Sequence, residues 1–124
     1  MTQIAVFVGS LRAGSLNHSL ATNLEALAPE GTTFNYVDIG ALPLFNQDLE
    51  SDYPASARAI KDIVEGADGV LFVTPEYNRS IPGVLKNAID WASRPWGTNS
   101  FDGKPAGIVG ASGTGKSVLL RTIL

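Results

Sequence analysis

The 124-residue chain is 44% hydrophobic and carries a net charge of −3, so residues 1–124 can form the core of one small α/β domain. It has no long basic run, which argues against nucleic acid or an anionic membrane surface as a partner. With no Cys and a single His, neither a cysteine nucleophile nor a metal centre is expected, and a small molecule is the expected partner.

The chain shows no recognisable targeting signal. Its N-terminus lacks a basic lead-in followed by a long apolar run. No stretch approaches the roughly 20 apolar residues of a membrane span. These features predict a cytoplasmic protein without a membrane partner.

Short apolar runs indicate the strands of a parallel sheet. They alternate with segments of helical spacing, as in a parallel α/β fold. The first, third and fourth runs are apolar nearly throughout, which is typical of strands buried on both faces. The runs are residues 4–8, 34–37, 70–73 and 106–109.

The segments between these runs have the spacing of helices with one buried face. The first helix is predicted over residues 17–28, with a buried stripe of leucines. The stretch 39–54 is predicted to be an ordered surface loop, and residues 115–124 again have a helical pattern. The three stripes are Leu16, Leu20, Leu24 and Leu27; Ala57, Ile60, Ile63 and Val64; and Leu85, Ala88, Ile89 and Ala92.

Residues 9–17, directly after the first predicted strand, have the composition of a phosphate-binding loop at a helix N-terminus. Gly9 and Gly14 would let backbone N–H groups approach an anion closely. The loop lacks the G-x-G-x-x-G spacing, so it favours a mononucleotide phosphate over a dinucleotide. The side-chain donors and the permanent cation of this loop are Ser10, Ser15, Asn17 and Arg12.

Residues 74–83, after the third predicted strand, combine an aromatic ring, an amide and a carboxylate. Ligands of an open parallel sheet bind beyond the carboxyl ends of its strands, so this loop is suited to hold a flat, polar-edged ring. The alternative is that Tyr77 packs on the next helix and Glu76 is solvated. The candidate ring-binding residues are Pro75, Glu76, Tyr77 and Asn78.

Together with the run at 82–91, these two loops closely resemble the NADPH-dependent FMN reductase family, which includes chromate, quinone and azo-dye reductases. The resemblance covers about residues 3–112. It implies a flavodoxin-like, doubly wound parallel sheet with strand order 2-1-3-4. It also implies bound FMN and two-electron transfer from NAD(P)H to a small acceptor, such as a flavin, a quinone, an azo dye or a metal oxyanion. No catalytic side chain is expected, because hydride transfer is the chemistry of the cofactor.

The resemblance also assigns roles to the candidate residues. Ser10, Arg12, Ser15 and Asn17 would hold the FMN phosphate, and the loop from Pro75 to Asn78 would line the ribityl chain and the isoalloxazine. Ser112 and Gly113, after the fourth strand, would lie near the other edge of the ring. The family further suggests a homodimer or homotetramer whose neighbouring chains help to enclose the flavin.

The last loop carries a competing motif. Its residues match G-x-x-x-x-G-K-S spacing between a predicted strand and a predicted helix, and residues 109–124 resemble the phosphate loop of ABC-type ATPases. A P-loop ATP- or phosphate-binding protein therefore stays open, as does a non-catalytic flavodoxin-like scaffold. No carboxylate stands at a strand end to hold Mg²⁺, which argues against hydrolysis. The motif residues are Gly110, Gly115, Lys116 and Ser117.

The C-terminal segment 110–124 is interpreted as atypical for the family. The family normally continues beyond Gly113 with a fifth strand and a final helix, so a recombined segment or a truncation is expected, with the fifth strand missing. A sheet that ends at the fourth strand would leave that strand as an exposed apolar edge. Pairing with another chain would cover it.

Overall fold

The protein is built on a parallel β-sheet. A computed structural model describes residues 1–112. All pairings are parallel and the strand order is β2-β1-β3-β4, which confirms the predicted flavodoxin-like order. The strands are β1 (Thr2–Val8), β2 (Thr32–Tyr36), β3 (Gly69–Val73) and β4 (Ala106–Val109), and the helices are α1 (Leu16–Leu27), α2 (Ala55–Glu65) and α3 (Gly83–Ala92).

Strand β1 lies inside the sheet and separates two apolar clusters. Ala5 and Phe7 point into the cluster that includes residues of α2 and α3. Val6 and Val8 point into the other cluster, against Ala21 of α1. Because side chains alternate between the faces of a strand, a strand covered on both faces has to be apolar at every position. The near-continuous apolar run of β1 follows from this burial.

The predicted leucine stripe of α1 is wrong in half of its members. Leu16 is 53% exposed and Leu27 is 82% exposed. The face that packs on the sheet is rotated away from the leucine row. The small side chain of Ala21 lets the helix approach the sheet, and Asn17, one turn earlier, is buried and hydrogen-bonded to the loop after β4. The residues on this buried or half-buried face are Asn17, Leu20, Ala21 and Leu24.

The predicted stripes of α2 and α3 are confirmed, with two additions. Every member of both stripes is buried or half-buried. Lys61 in α2 and Trp91 in α3 are fully buried as well, and both lie at helical spacing from members of these stripes. The loop at 39–54 is ordered, with short 3₁₀ turns at Ile39–Ala41 and Gln47–Asp52.

Strand β4 lies at one edge of the described sheet. Within residues 1–112 it is not buried on both faces as predicted, because Ala106 and Gly107 are exposed and Ile108 and Val109 are only half-buried. The described part of the chain places no further strand beside it. The predicted absence of a fifth strand, the single-domain organisation and the atypical C-terminal segment depend on residues beyond 112 and stay predictions.

Candidate functional site

The candidate site is formed by loops that follow the strands, at the carboxyl edge of the sheet. Loop 9–15 leads from β1 into α1, loop 74–82 leads from β3 into α3, and loop 110–112 follows β4. Backbone hydrogen bonds extend the sheet pairing into these loops, from Gly9 N–H to Val73 O at 2.8 Å and from Thr74 N–H to Val109 O at 3.0 Å. The loops that the sequence singled out are therefore neighbours in space.

Thr74 fixes the distance between these three loops. It is buried, and its hydroxyl donates to the carbonyl of Pro75 at 2.9 Å. A Cβ at Gly9 would overlap the Thr74 side chain, and a Cβ at Gly110 would lie 2.5 Å from the Thr74 carbonyl oxygen. The glycine at position 9, predicted to permit close approach of a ligand, is thus required already by packing within the protein. Sequence reasoning missed Thr74, because nothing in its pattern distinguishes it from an ordinary loop residue.

Loop 9–15 and the first turn of α1 surround a cavity of about 380 Å³, which we call the anion cavity. Ser15 is the N-cap of α1, and its hydroxyl oxygen accepts from the N–H of His18 at 3.3 Å. The hydroxyl oxygen of Ser10 accepts from the N–H of Arg12 at the same distance. The residues lining the cavity are Ser10, Leu11, Arg12, Ala13, Gly14, Ser15, His18 and Ser19.

The donors of this cavity suit an anion. Each serine hydroxyl uses its oxygen as an acceptor inside the loop and so keeps its own hydrogen to donate. Arg12 is exposed, and no ion pair within residues 1–112 involves it. Gly14 has a φ of +71°, a conformation that glycine adopts without strain. The first N–H groups of a helix have no partner inside the helix, and they carry the positive end of its dipole.

His18 and Ser19 also line the anion cavity, and sequence reasoning predicted a site role for neither residue. The His18 ring lies 6.1 Å from the ring of Tyr36, at the end of β2. The Tyr36 hydroxyl donates to Glu25 at 3.0 Å, and burial together with this carboxylate raises the pKa of Tyr36 to about 12. The signal in the sequence is the helical spacing of Ser15 and His18, which brings residue i+3 back over the N-cap.

Asn17, the fourth predicted phosphate ligand, lies differently from the other three. It is buried, and its side-chain amide makes two hydrogen bonds to the backbone of Ala111 in the loop after β4. It does not line the anion cavity. The structure therefore brings Ser10, Arg12 and Ser15 together around that cavity and places Asn17 between two loops.

Loop 74–82 contains a tight two-residue turn. Tyr77 and Ser80 exchange backbone hydrogen bonds of 3.0 and 3.1 Å. The two residues between them, Asn78 and Arg79, have φ values of 54° and 63°, in the left-handed region. Pro75 and Glu76 are half-buried. Tyr77 is 49% exposed, so most of the predicted ring-binding loop presents polar groups and an aromatic ring at the surface.

The loop after β4 is described only at its beginning. Gly110 and Ala111 are half-buried, and Ser112 is exposed. Gly113, a predicted neighbour of the ring, lies outside the described residues, as do Gly115, Lys116 and Ser117 of the P-loop-like spacing.

Residues 1–112 contain neither a candidate metal site nor a helix able to span a membrane. Within residues 1–112, no group of three or more His, Asp or Glu side chains is placed to hold a metal ion. In the same part of the chain, no helix combines the length and the apolar character needed to cross a membrane. The site is therefore described by its anion cavity, its neighbouring loops and their backbone groups.

Fold and site together define a flavodoxin-like α/β protein with a cavity lined by loop 9–15 at the carboxyl edge of its sheet. The chain belongs to the NADPH-dependent FMN reductase family, whose model matches residues 2–122. This match includes the whole segment with G-x-x-x-x-G-K-S spacing, residues 110–117. The comparisons with known proteins give the ATP-binding alternative no support.

Individual relatives agree with this assignment. A 2-hydroxy-1,4-benzoquinone reductase from a Burkholderia species is 60% identical over 110 residues, which cover 89% of this chain and 60% of that protein. A quinone reductase from Pseudomonas putida is 49% identical over 110 residues, covering 88% of this chain and 59% of that protein. The solved structure of FerB, a flavoenzyme NAD(P)H:(acceptor) oxidoreductase from Paracoccus denitrificans, has a TM-score of 0.87 at 53% identity, covering 90% of this chain and 62% of that one. The chain thus spans about 60% of the length of these relatives.

Proposed function

We propose that this chain binds FMN noncovalently and serves two-electron transfer from NAD(P)H to a small acceptor, for which a quinone is the leading candidate. The family supports FMN and NADPH, and the names of the relatives supply the quinone. The structural observation that carries the proposal is the anion cavity, where Arg12 and the hydroxyls of Ser10 and Ser15 meet the N-terminus of α1.

The residues present fit the terminal phosphate of FMN. A phosphate in the anion cavity would accept from both serine hydroxyls and from the first backbone N–H groups of α1. Its charge would be balanced by Arg12, whose planar guanidinium matches phosphate oxygens in pairs. The helix dipole adds about 0.3–1 kcal/mol at an exposed site and more where water is excluded. A permanent cation and several neutral donors are the set that a phosphate requires.

Loop 74–82 supports the proposal as the place where the chain would orient the flavin ring. Its backbone is held by Thr74 at one end and by the Tyr77–Ser80 turn, so its peptide groups are fixed before a ligand arrives. Half-exposed Tyr77 offers an aromatic surface beside them. Bound FMN would supply the redox chemistry, and the chain has to bind and orient it.

Titration with two flavins tests this proposal. The fluorescence of FMN should be quenched, or its absorption bands shifted, on binding. FMN should also bind more tightly than riboflavin, which lacks the phosphate. Arg12→Gln should weaken FMN binding by roughly 10- to 100-fold, the worth of a hydrogen bond to a charged group, and leave riboflavin binding unchanged. Arg58→Gln is the control, since Arg58 lies over the ring of Tyr53 away from the cavity. If neither flavin binds, or if both arginine variants behave alike, the proposal is wrong.

The same proposal includes a homo-oligomer, either a dimer or a tetramer, and a cytoplasmic location. Within residues 1–112, β4 lies at the sheet edge with Ile108 and Val109 only half-buried, which favours association with another polypeptide. Sedimentation of the flavin-loaded protein over a range of concentrations tests this part. A monomer at every concentration would remove it and leave FMN binding untouched.

A further inference from the structure

Asn17, in the first turn of α1, is hydrogen-bonded to the loop after β4. Its amide nitrogen donates to the carbonyl of Ala111 at 3.1 Å, and its amide oxygen accepts from the N–H of the same residue at 3.0 Å. The side chain is 3% exposed. It therefore pairs with Ala111 as a neighbouring strand would, through one donor and one acceptor.

Loop 110–112 also lies close to the end of β3. A Cβ at Gly110 would lie 2.5 Å from the Thr74 carbonyl oxygen, so loop and β3 are in direct contact there. The amide oxygen of Asn17 would be 3.9 Å from that same Cβ. Loop 110–112 thus contacts both the first turn of α1 and the end of β3, and we call these two contacts the clamp.

We propose that Asn17 is a positioning residue for the flavin ring, and that it acts by holding loop 110–112 against the ring site. This inference rests on the proposed function, and it replaces the sequence-based expectation that Asn17 holds the phosphate. The burial of Asn17, its absence from the lining of the anion cavity and its paired bonds to Ala111 support it. Arg12 and Asn17, only five positions apart, thus serve opposite ends of one ligand.

The two roles differ in which flavin they affect. A phosphate ligand stabilises FMN alone, whereas a residue that positions the ring loop stabilises FMN and riboflavin equally. Asn17→Ala should therefore weaken both flavins by the same factor, about three- to tenfold for the lost hydrogen bonds. It should also change the visible absorption bands of bound flavin, which Arg12→Gln should leave unaltered. A loss confined to FMN, with unchanged bands, would overturn the inference.

A second variant perturbs the same loop through its contact with Thr74. Gly110→Ala forces loop 110–112 away from Thr74 while it leaves the amide of Asn17 in place, so it should reproduce the equal loss for both flavins. This variant decides the question if Asn17→Ala does not fold. Unchanged affinity for both flavins in Gly110→Ala would contradict a positioning role for the loop.

Amide exchange separates this inference from the proposed function. In the flavin-free protein, the N–H of Ala111 should exchange slowly, and it should exchange at least tenfold faster in Asn17→Ala, because its acceptor is removed. If the unmodified chain binds no flavin, the proposed function fails, and slow exchange at Ala111 would still show the clamp. Fast exchange at Ala111 in the unmodified chain would show that the clamp does not form.

Discussion

The two edges of the sheet use their charged residues in opposite ways. At the amino edge, the loop between α3 and β4 receives the buried ammonium of Lys61, which donates to Ala92 O, Thr98 O and the Ser100 hydroxyl at 3.2, 2.6 and 2.8 Å. At the carboxyl edge, Arg12 and Arg79 are exposed and have no ion pair within residues 1–112. The ammonium of Lys61 at the amino edge is used in hydrogen bonds within the protein, whereas the guanidinium groups of Arg12 and Arg79 at the carboxyl edge stay available to a ligand.

Backbone conformation follows the same division. Both non-glycine residues with positive φ among the described residues, Asn78 and Arg79, lie at the carboxyl edge. The amino-edge loop is instead tied down by side chains, since the Arg94 guanidinium contacts Glu50 at 2.7 Å and lies 5.1 Å from the Trp96 ring. Lys61 and Arg94 at the amino edge are thus held by contacts within the protein, whereas Arg12 and Arg79 at the carboxyl edge are exposed.

The largest expected effect comes from the buried lysine. Lys61→Met should lower the free energy of unfolding by about 2–4 kcal/mol, because it leaves buried carbonyl groups without their donor. Urea unfolding measures this loss. Lys86→Met is the control, because the Lys86 side chain is 59% exposed in its pair with Asp90, and it should cost less than about 0.5 kcal/mol. Flavin affinity per folded molecule should not change in either variant, and a specific loss of affinity in Lys61→Met would break the division between the edges.

A glycine at the carboxyl edge tests whether packing also operates there. Gly9→Ala would overlap Thr74, so it should destabilise the flavin-free protein by about 1–3 kcal/mol. Gly83→Ala is the matched control, since nothing lies within 4 Å of an added Cβ there and the change should be neutral or slightly stabilising. Thermal unfolding without flavin distinguishes the two. Equal melting temperatures would mean that the ligand, and not Thr74, requires glycine at position 9.

Tyr36 gives a smaller, pH-dependent effect. Tyr36→Phe removes the hydrogen bond to Glu25 and should cost about 0.5–1 kcal/mol at neutral pH. Because folding raises the pKa of Tyr36 from 10.0 to about 12, the protonated phenol stabilises the fold fully below pH 10. This contribution is lost as pH rises through 12, so the difference between the parent and Tyr36→Phe should shrink over that range. Unfolding free energies measured from pH 8 to 12 check it, and a constant difference would contradict it.

The smallest expected change is a gain. Arg79→Gly should stabilise the flavin-free protein by roughly 0.5–1 kcal/mol, because glycine adopts the φ of 63° without the strain that arginine bears. Asn78→Gly should gain less, since asparagine tolerates the left-handed region better than arginine. Calorimetry of both variants makes the comparison. A loss of stability in Arg79→Gly would show that the arginine side chain contributes contacts that outweigh the strain.

Much of the fold could be predicted from the sequence, because strand positions and helix faces depend on apolar periodicity, whereas the strand order came from the family resemblance. The strand runs and the stripes of α2 and α3 are visible in the pattern of apolar residues. The α1 stripe misled in part, since Leu16 and Leu27 continue the helical spacing of the leucines but lie exposed. A small alanine and a buried asparagine define the real contact, and neither has a strong apolar signal.

The candidate site could be predicted in part for a similar reason. The composition of loop 9–15 predicts an anion site with Ser10, Arg12 and Ser15, and the structure gathers these residues around one cavity. The direction of the Asn17 amide could not be predicted, because its partner lies 94 positions further along the chain. The burial of Thr74 and the inclusion of His18 likewise depend on which loops become neighbours.

The amino-acid sequence alone determined the class of the fold, since periodic apolar residues set the layers, and its local donors predicted an anionic ligand. The tertiary structure alone decided which polar groups remain available. Lys61, Asn17 and Arg12 all have polar side chains that the sequence alone would place at the surface. Lys61 and Asn17 are nevertheless buried and hydrogen-bonded to distant backbone groups, whereas Arg12 is exposed beside the cavity. The physical reason is that a buried polar group must find a partner, and only the assembled fold brings that partner within reach.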